Sequence, residues 1–152
     1  MHRIVGSFFG TGLVLRRLRG SDSGSGTVGA LAAAILAYPL YQRLDWPWQI
    51  GAALLVTLVA AWSLRALVDA EGDAGWIVAD EAAGTFIALI GIANWTAAIV
   101  AFVVFRTADI FKQSFPGVSR AERMEGAAGV LADDLVAGLY GLAAAHVVQS
   151  LV

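Results

Sequence analysis

Cysteine is absent from the 152 residues. Its absence excludes a disulfide framework, a thiolate nucleophile and a Cys-built zinc site. Histidine is scarce, occurring only as His2 and His146. Any metal site must therefore be mostly carboxylate, which suits hard cations such as Mg²⁺. Charge is scarce too. Asp, Glu, Lys and Arg make up 14% of the chain, against about 25% in an ordinary soluble domain. A net charge of −2, with no aromatic stripe among the basic residues, argues against nucleic acid as a partner. What is abundant is apolar surface: 59% of residues are hydrophobic and mean hydropathy is +0.73. This excludes disorder and predicts an all-α, multi-helical integral membrane bundle, with residues 1–152 as a single domain. The apolar stretch from Ile4 to Leu15 ends in Arg16-Arg17-Leu18-Arg19 rather than a small-residue cleavage site. It reads as a retained interfacial segment, not a signal peptide.

The apolar runs predict helices over about 28–44, 48–67, 77–90, 95–112 and 128–150, with short interfacial helices between them. A loop rich in Gly and Ser precedes the first of these, and Ser25 or Thr27 is placed to cap it. Pro39 falls inside that helix, where it can kink it. Read as one helix, the 29 residues from Ile77 to Phe105 would extend about 43 Å. Gly91 and Asn94 interrupt the run with a breaker and a good N-cap, so two helices joined by a turn are expected. With that turn, nine of the ten Lys and Arg lie on one side of the membrane and only Arg43 on the other. The positive-inside rule makes the nine-residue side cytoplasmic. Ser119 and Glu122 have the spacing of a capping box for a short helix ending near Gly126. Small-residue spacings along the helices permit close helix association and leave a homo-oligomer open.

Two acid pairs, Asp80-Glu81 and Asp133-Asp134, are each predicted at the start of an apolar helix, where the helix dipole favours negative charge. Acids at such positions usually face a cavity and mark function. Four carboxylates brought together repel one another unless a cation lies between them. Arg106, Asp109 and Lys112 recur every three residues on one helix face. Arg106 and Lys112 suit an anionic group such as phosphate, and anchoring to acidic lipids is their plainer role. The turn holding Gly26, Thr27 and Gly29 feeds a helix N-terminus, a natural phosphate seat. It lacks the lysine of a Walker motif. His146 reads as structural. Two function classes fit these residues: a metal-dependent phosphatase, and a small transport or ion-relay module using the carboxylates.

Four motifs, in order, resemble those of the phosphatidylglycerophosphatase A family. They are Phe9-Gly10-Thr11-Gly12-Leu13; Gly26-Thr27-Val28-Gly29; Asp73-Ala74-Gly75-Trp76-Ile77-Val78-Ala79-Asp80-Glu81-Ala82-Ala83-Gly84; and a C-terminal pair. That pair comprises Phe105, Arg106, Asp109 and Lys112, then Gly129, Asp133, Asp134, Ala137 and Gly138. Ser25 stands where the family turn usually has proline. The resemblance implies a helical, Mg²⁺-dependent hydrolase at the cytoplasmic face of a bacterial inner membrane. Its lipid substrate would be phosphatidylglycerophosphate and its product phosphatidylglycerol. On that reading Asp80, Glu81, Asp133 and Asp134 hold the metal. Arg106, Lys112 and the Gly26–Gly29 turn hold the phosphate, while Asp109 and Asp73 assist. A metal-activated water and an aspartate nucleophile both remain open.

The topology is testable because the chain carries no native cysteine. A single cysteine introduced at Trp95 should label from the membrane side opposite to one introduced at Lys112. Labelling of both from one side would refute the two-helix reading.

Overall fold

The computed structural model describes every residue except Asp73 and, within its helix, the side chain of Arg19. Among the described residues all regular secondary structure is helical. Three short segments open the chain: α1 (His2–Gly6), a 3-10 turn (Thr11–Leu13) and α2 (Val14–Arg19). The main bundle comprises α3 (Ser25–Tyr41), α4 (Trp46–Glu71), α5 (Ala79–Ala88), α6 (Trp95–Ile110) and α8 (Gly126–Gln149). A second 3-10 turn (Lys112–Ser114) and α7 (Val118–Ala121) link the last two.

The expected break between α5 and α6 is present. Gly91 adopts a left-handed conformation (φ +73°), and Asn94 Oδ1 accepts a hydrogen bond from the Ala97 amide at 2.8 Å, capping α6. Side chains from α4, from α8 and from the residue that follows α3 close the turn's other backbone groups. Gln42 donates to the Ile92 carbonyl (2.8 Å). Gln49 accepts from the Gly91 amide (2.6 Å). Gln149 accepts from the Ala93 amide and donates to the Gly91 carbonyl. His146 Nε2 lies 3.0 Å from the Ile90 carbonyl, the structural role expected of it. An irregular turn among apolar helices needs such partners, because an unsatisfied backbone group away from water costs several kcal/mol.

Three local expectations differ. α3 begins one residue after Gly24, which takes a left-handed conformation, and no side chain caps it. Glycine's freedom at positive φ replaces the expected Ser25 or Thr27 cap. Ser119 and Glu122 form no capping box: α7 starts after Gly117 without a side-chain cap, and Glu122 turns instead toward Gln113 and Lys112. Asp133-Asp134 is not at a helix start. α8 begins at Gly126, so the pair lies about two turns inside, beyond the reach of the helix dipole.

The bundle closes through helices that touch backbone to backbone. A β-carbon at Gly84 of α5 would lie 2.6 Å from the Asp134 carbonyl oxygen, and one at Gly138 of α8 would lie 2.5 Å from the Gly84 carbonyl. At Gly141 it would lie 2.6 Å from the Ala101 carbonyl of α6. Only glycine permits these approaches, the small-residue packing typical of helices in lipid. Phe86, Phe105 and Tyr41 fill the larger core around them. Trp76, Ile77 and Leu67 form a second cluster under the α4–α5 connection. The N-terminal segment braces that connection: the Gly6 carbonyl accepts from the Val78 amide (2.7 Å), and Gly12 lies against the Trp76 backbone.

α4 and α8 are long and apolar enough to cross a membrane. Along α4, Leu54, Leu55, Leu58 and Trp62 are all exposed. An exposed apolar face of this kind suits lipid rather than water. Gly138→Val should drive a side chain into the α5 backbone and destabilise the fold by roughly 1–3 kcal/mol or more. A lowered melting temperature in detergent is expected. An unchanged melting temperature would contradict the close α5–α8 approach.

Candidate active site

The α5–α8 crossing brings the two acid pairs together. Asp80 and Glu81 occupy the first turn of α5. The N-terminal end of α8 passes beside them with Asp133 and Asp134. The C-terminal end of α6 supplies Arg106 and Asp109, and the following 3-10 turn supplies Lys112. A cavity of about 170 Å³ lies between these elements. Its wall includes Asp80, Glu81, Asp109, Lys112, Asp133 and Asp134.

The four carboxylates of the two pairs do not play one part. Oxygens of Asp80, Glu81 and Asp134 lie within 4.8 Å of one another. Glu81 Oε2 and Asp134 Oδ1 are buried and receive no hydrogen bond from a donor among the described residues. Buried acceptors so placed, offered by three hard oxygen ligands, fit a metal cation. Asp133 is engaged differently. Its Oδ2 accepts a hydrogen bond from Lys112 Nζ, and its Oδ1 accepts one from the Asp134 amide (2.9 Å). Asp133 therefore anchors Lys112 at the edge of the cluster.

The basic residues are held by acids in turn. Arg106 Nη1 lies 2.7 Å from Asp109 Oδ2. Lys112 Nζ lies 4.0 Å from Asp109 and 3.9 Å from Glu122, besides its bond to Asp133. Burial alone would favour the neutral amine. The Asp133 hydrogen bond and the charges of Asp133, Asp109 and Asp134 outweigh it and raise the Lys112 pKa, so this side chain is a fixed positive charge at assay pH.

The turn before α3 meets the site at Gly26 and Thr27. Arg106 Nη2 donates to Thr27 Oγ1 at 3.4 Å. A β-carbon at Gly26 would collide with Glu81 Oε1 and lie 3.1 Å from Arg106 Nη2. Gly26 is thus the gap through which α3 admits both side chains. Gly29 faces elsewhere, packed against the Val78 side chain. Asp73 lies outside the described residues. Glu122 reads in the sequence only as a capping-box residue; its approach to Lys112 crosses an irregular turn, where no helical period marks it. Gly75 and Ile77, both within the Asp73–Gly84 motif, and Val130, which only its motif neighbours flagged, also line the cavity.

Grouped carboxylates suited to a cation, flanked by a fixed arginine and lysine, make up the equipment of a phosphomonoester hydrolase. The family model for phosphatidylglycerophosphatase A matches residues 4–149, and the chain belongs to this family. Two relatives agree on lipid phosphatase chemistry. A Bacteroides thetaiotaomicron protein named "Putative phosphatidylinositol-3-phosphatase" is 33% identical over 146 residues, covering 90% of this chain and 86% of that protein. A Haemophilus influenzae protein named phosphatidylglycerophosphatase A is 31% identical over 145 residues, covering 93% and 84%. No solved structure matches. The protein is a phosphatase enzyme.

The division among the carboxylates predicts unequal effects. Asp134→Asn should weaken divalent-cation binding, measured by calorimetry, more strongly than Asp133→Asn. Asp133→Asn should lower activity roughly 10–100-fold through the loosened lysine. Equal losses of cation affinity in both would contradict the division.

Proposed function

We propose that the protein removes the terminal phosphate of phosphatidylglycerophosphate, giving phosphatidylglycerol and inorganic phosphate. Mg²⁺ would be held by Asp80, Glu81 and Asp134, with Asp133 beside them. The reaction would take place at the cytoplasmic face of a bacterial inner membrane, in a multi-pass chain. The observation that carries this reading is the buried Asp80–Glu81–Asp134 cluster, set beside Arg106 and Lys112 in a chain of this family.

When bound, the cation would offset the carboxylates' mutual repulsion and polarise the phosphoryl group or a water. The chain's own residues do the remaining work. Arg106 presents a planar fork of donors, and its ion pair with Asp109 fixes the direction in which it points. Lys112, tied to Asp133 and 4.0 Å from the same Asp109, adds a second positive charge. Together they stabilise charge on the equatorial phosphoryl oxygens as the transition state forms. Gly26 and Thr27 place the positive end of α3 beside the same group. In the balanced reaction the phosphorus–oxygen bond to glycerol breaks. The hydroxyl of water joins phosphorus, and its proton ends on the glycerol oxygen. Asp109, at the cavity wall and within an ion pair, is placed to handle that proton.

The cytoplasmic assignment rests on the charge pattern. Asp109 and Lys112 line the cavity and Arg106 is paired with Asp109 and with Thr27 at the start of α3, while Arg43 follows the other end of α3.

The experiment is phosphate release by the purified protein from phosphatidylglycerophosphate in detergent, with and without a chelator. Phosphatidylinositol 3-phosphate serves as the second substrate, because one relative is named for it. Metal-dependent release from phosphatidylglycerophosphate is expected, falling at least about a hundredfold in Asp80→Asn and Arg106→Ala. Preference for the inositol lipid would overturn the substrate. No chelator-sensitive release from either lipid would overturn the reaction.

A further inference from the structure

A second cavity, of about 260 Å³, lies along the outside of the bundle between α3 and α6. It is lined throughout by apolar or aromatic residues and carries no charged side chain. Its floor is tight: Leu89 is 2% exposed and Tyr38 and Ala98 7% each. Its rims, formed by Leu31 and Ile35 of α3 and Ile99 of α6, are open. At one end the Tyr38 and Trp95 rings meet with centroids 4.2 Å apart. The Tyr38 hydroxyl donates to the Ala93 carbonyl there (3.3 Å), closing that end.

The other end leads to the phosphatase site. Thr27 stands one helical turn beyond Leu31 on one wall, and Arg106 one turn beyond Phe102 on the other. These two residues are hydrogen-bonded across the top of the groove. From Trp95 to Arg106 the helical rise is about 16 Å. The volume admits a narrow flexible chain. It does not admit another helix, which is about 10–12 Å across.

We propose that this groove holds an acyl chain of the lipid phosphomonoester whose phosphate sits at Arg106. The inference rests on the functional reading above and adds to it where the apolar half of the substrate lies. A lipid enters from its own leaflet with its tail along α3 and α6, and the Arg106–Thr27 contact marks where headgroup chemistry begins. Remote binding along the tail then contributes to positioning the phosphate.

Two measurements test it. The first uses phosphatidylglycerophosphate carrying a diazirine in mid-chain, photolysed with the wild-type protein in micelles. Adducts are expected within residues 31–39 and 95–102, and excess unlabelled phosphatidylglycerophosphate should suppress them. Adducts confined to the separate apolar cleft at Val5, Leu55 and Val59 would overturn the inference. So would equal labelling by a diazirine phosphatidylcholine, which would make the groove a general lipid contact. So would their loss whenever the protein is monomeric, which would make it a seam between copies. This readout does not depend on turnover. The second compares dihexanoyl and long-chain phosphatidylglycerophosphate with Ala34→Trp, which fills the groove. The ratio of long-chain to short-chain KM should rise about tenfold. An unchanged ratio in a folded variant would overturn the groove. Failure of the wild type to hydrolyse either lipid would instead refute the functional reading.

Discussion

Electrostatic repulsion among buried carboxylates is the constraint on which the remaining structure depends. Asp80, Asp133 and Asp134 are almost wholly buried, and Glu81 and Asp109 stand beside them. Carboxylates in a low-dielectric interior cannot all remain charged without compensation. The chain supplies part of it with Arg106 and Lys112, each tied to specific acids. The remainder falls on Asp80, Glu81 and Asp134, whose oxygens gather where a cation would complete the balance. Basic residues restrain the periphery of the cluster and leave its centre for an ion.

Holding that arrangement requires close backbones, and the glycines provide them. Gly84 and Gly138 let α5 and α8 meet at the level of the acids, and Gly26 clears the space taken by Glu81 and Arg106. Two features that look separate in the sequence are one device. Gly84, four positions after Asp80, and Gly138, four after Asp134, do not decorate the motifs; they set the distance between them. At the opposite end, the glutamines around Gly91–Ala93 allow α5 to end after ten residues without stranding its backbone groups.

Much of this was legible in the residues. The turn between α5 and α6 was readable from Gly91 and Asn94, because a breaker followed by a good cap has few other meanings. The acid pairs stood out because charge is rare in so apolar a chain. Helix starts were less legible. The Asp133-Asp134 pair reads as a first turn only if α8 begins late. Nothing local fixes where that helix starts, since Gly126 to Leu131 suits helix as well as the apolar run beyond Asp134 does. The separate duties of Asp133 and Asp134 could not be read at all. They depend on which side chain meets Lys112, a contact between elements whose relative rotation no local pattern encodes. The α3–α6 groove was hidden for the same reason, since each wall alone is simply an apolar helix.

The α5–α8 seam also has a consequence in time. Synthesis proceeds from the N-terminus at about 5–20 residues per second, so the stretch between the two acid pairs takes roughly 3–10 seconds to emerge. Throughout that interval Asp80 and Glu81 exist without Asp134, and Gly84 without the helix that will lie against it. The carboxylate cluster is therefore a product of the last step of assembly. A nascent chain that stops short of α8 has most of the bundle and none of the completed cluster, so the gathered carboxylates report that the final helix has arrived.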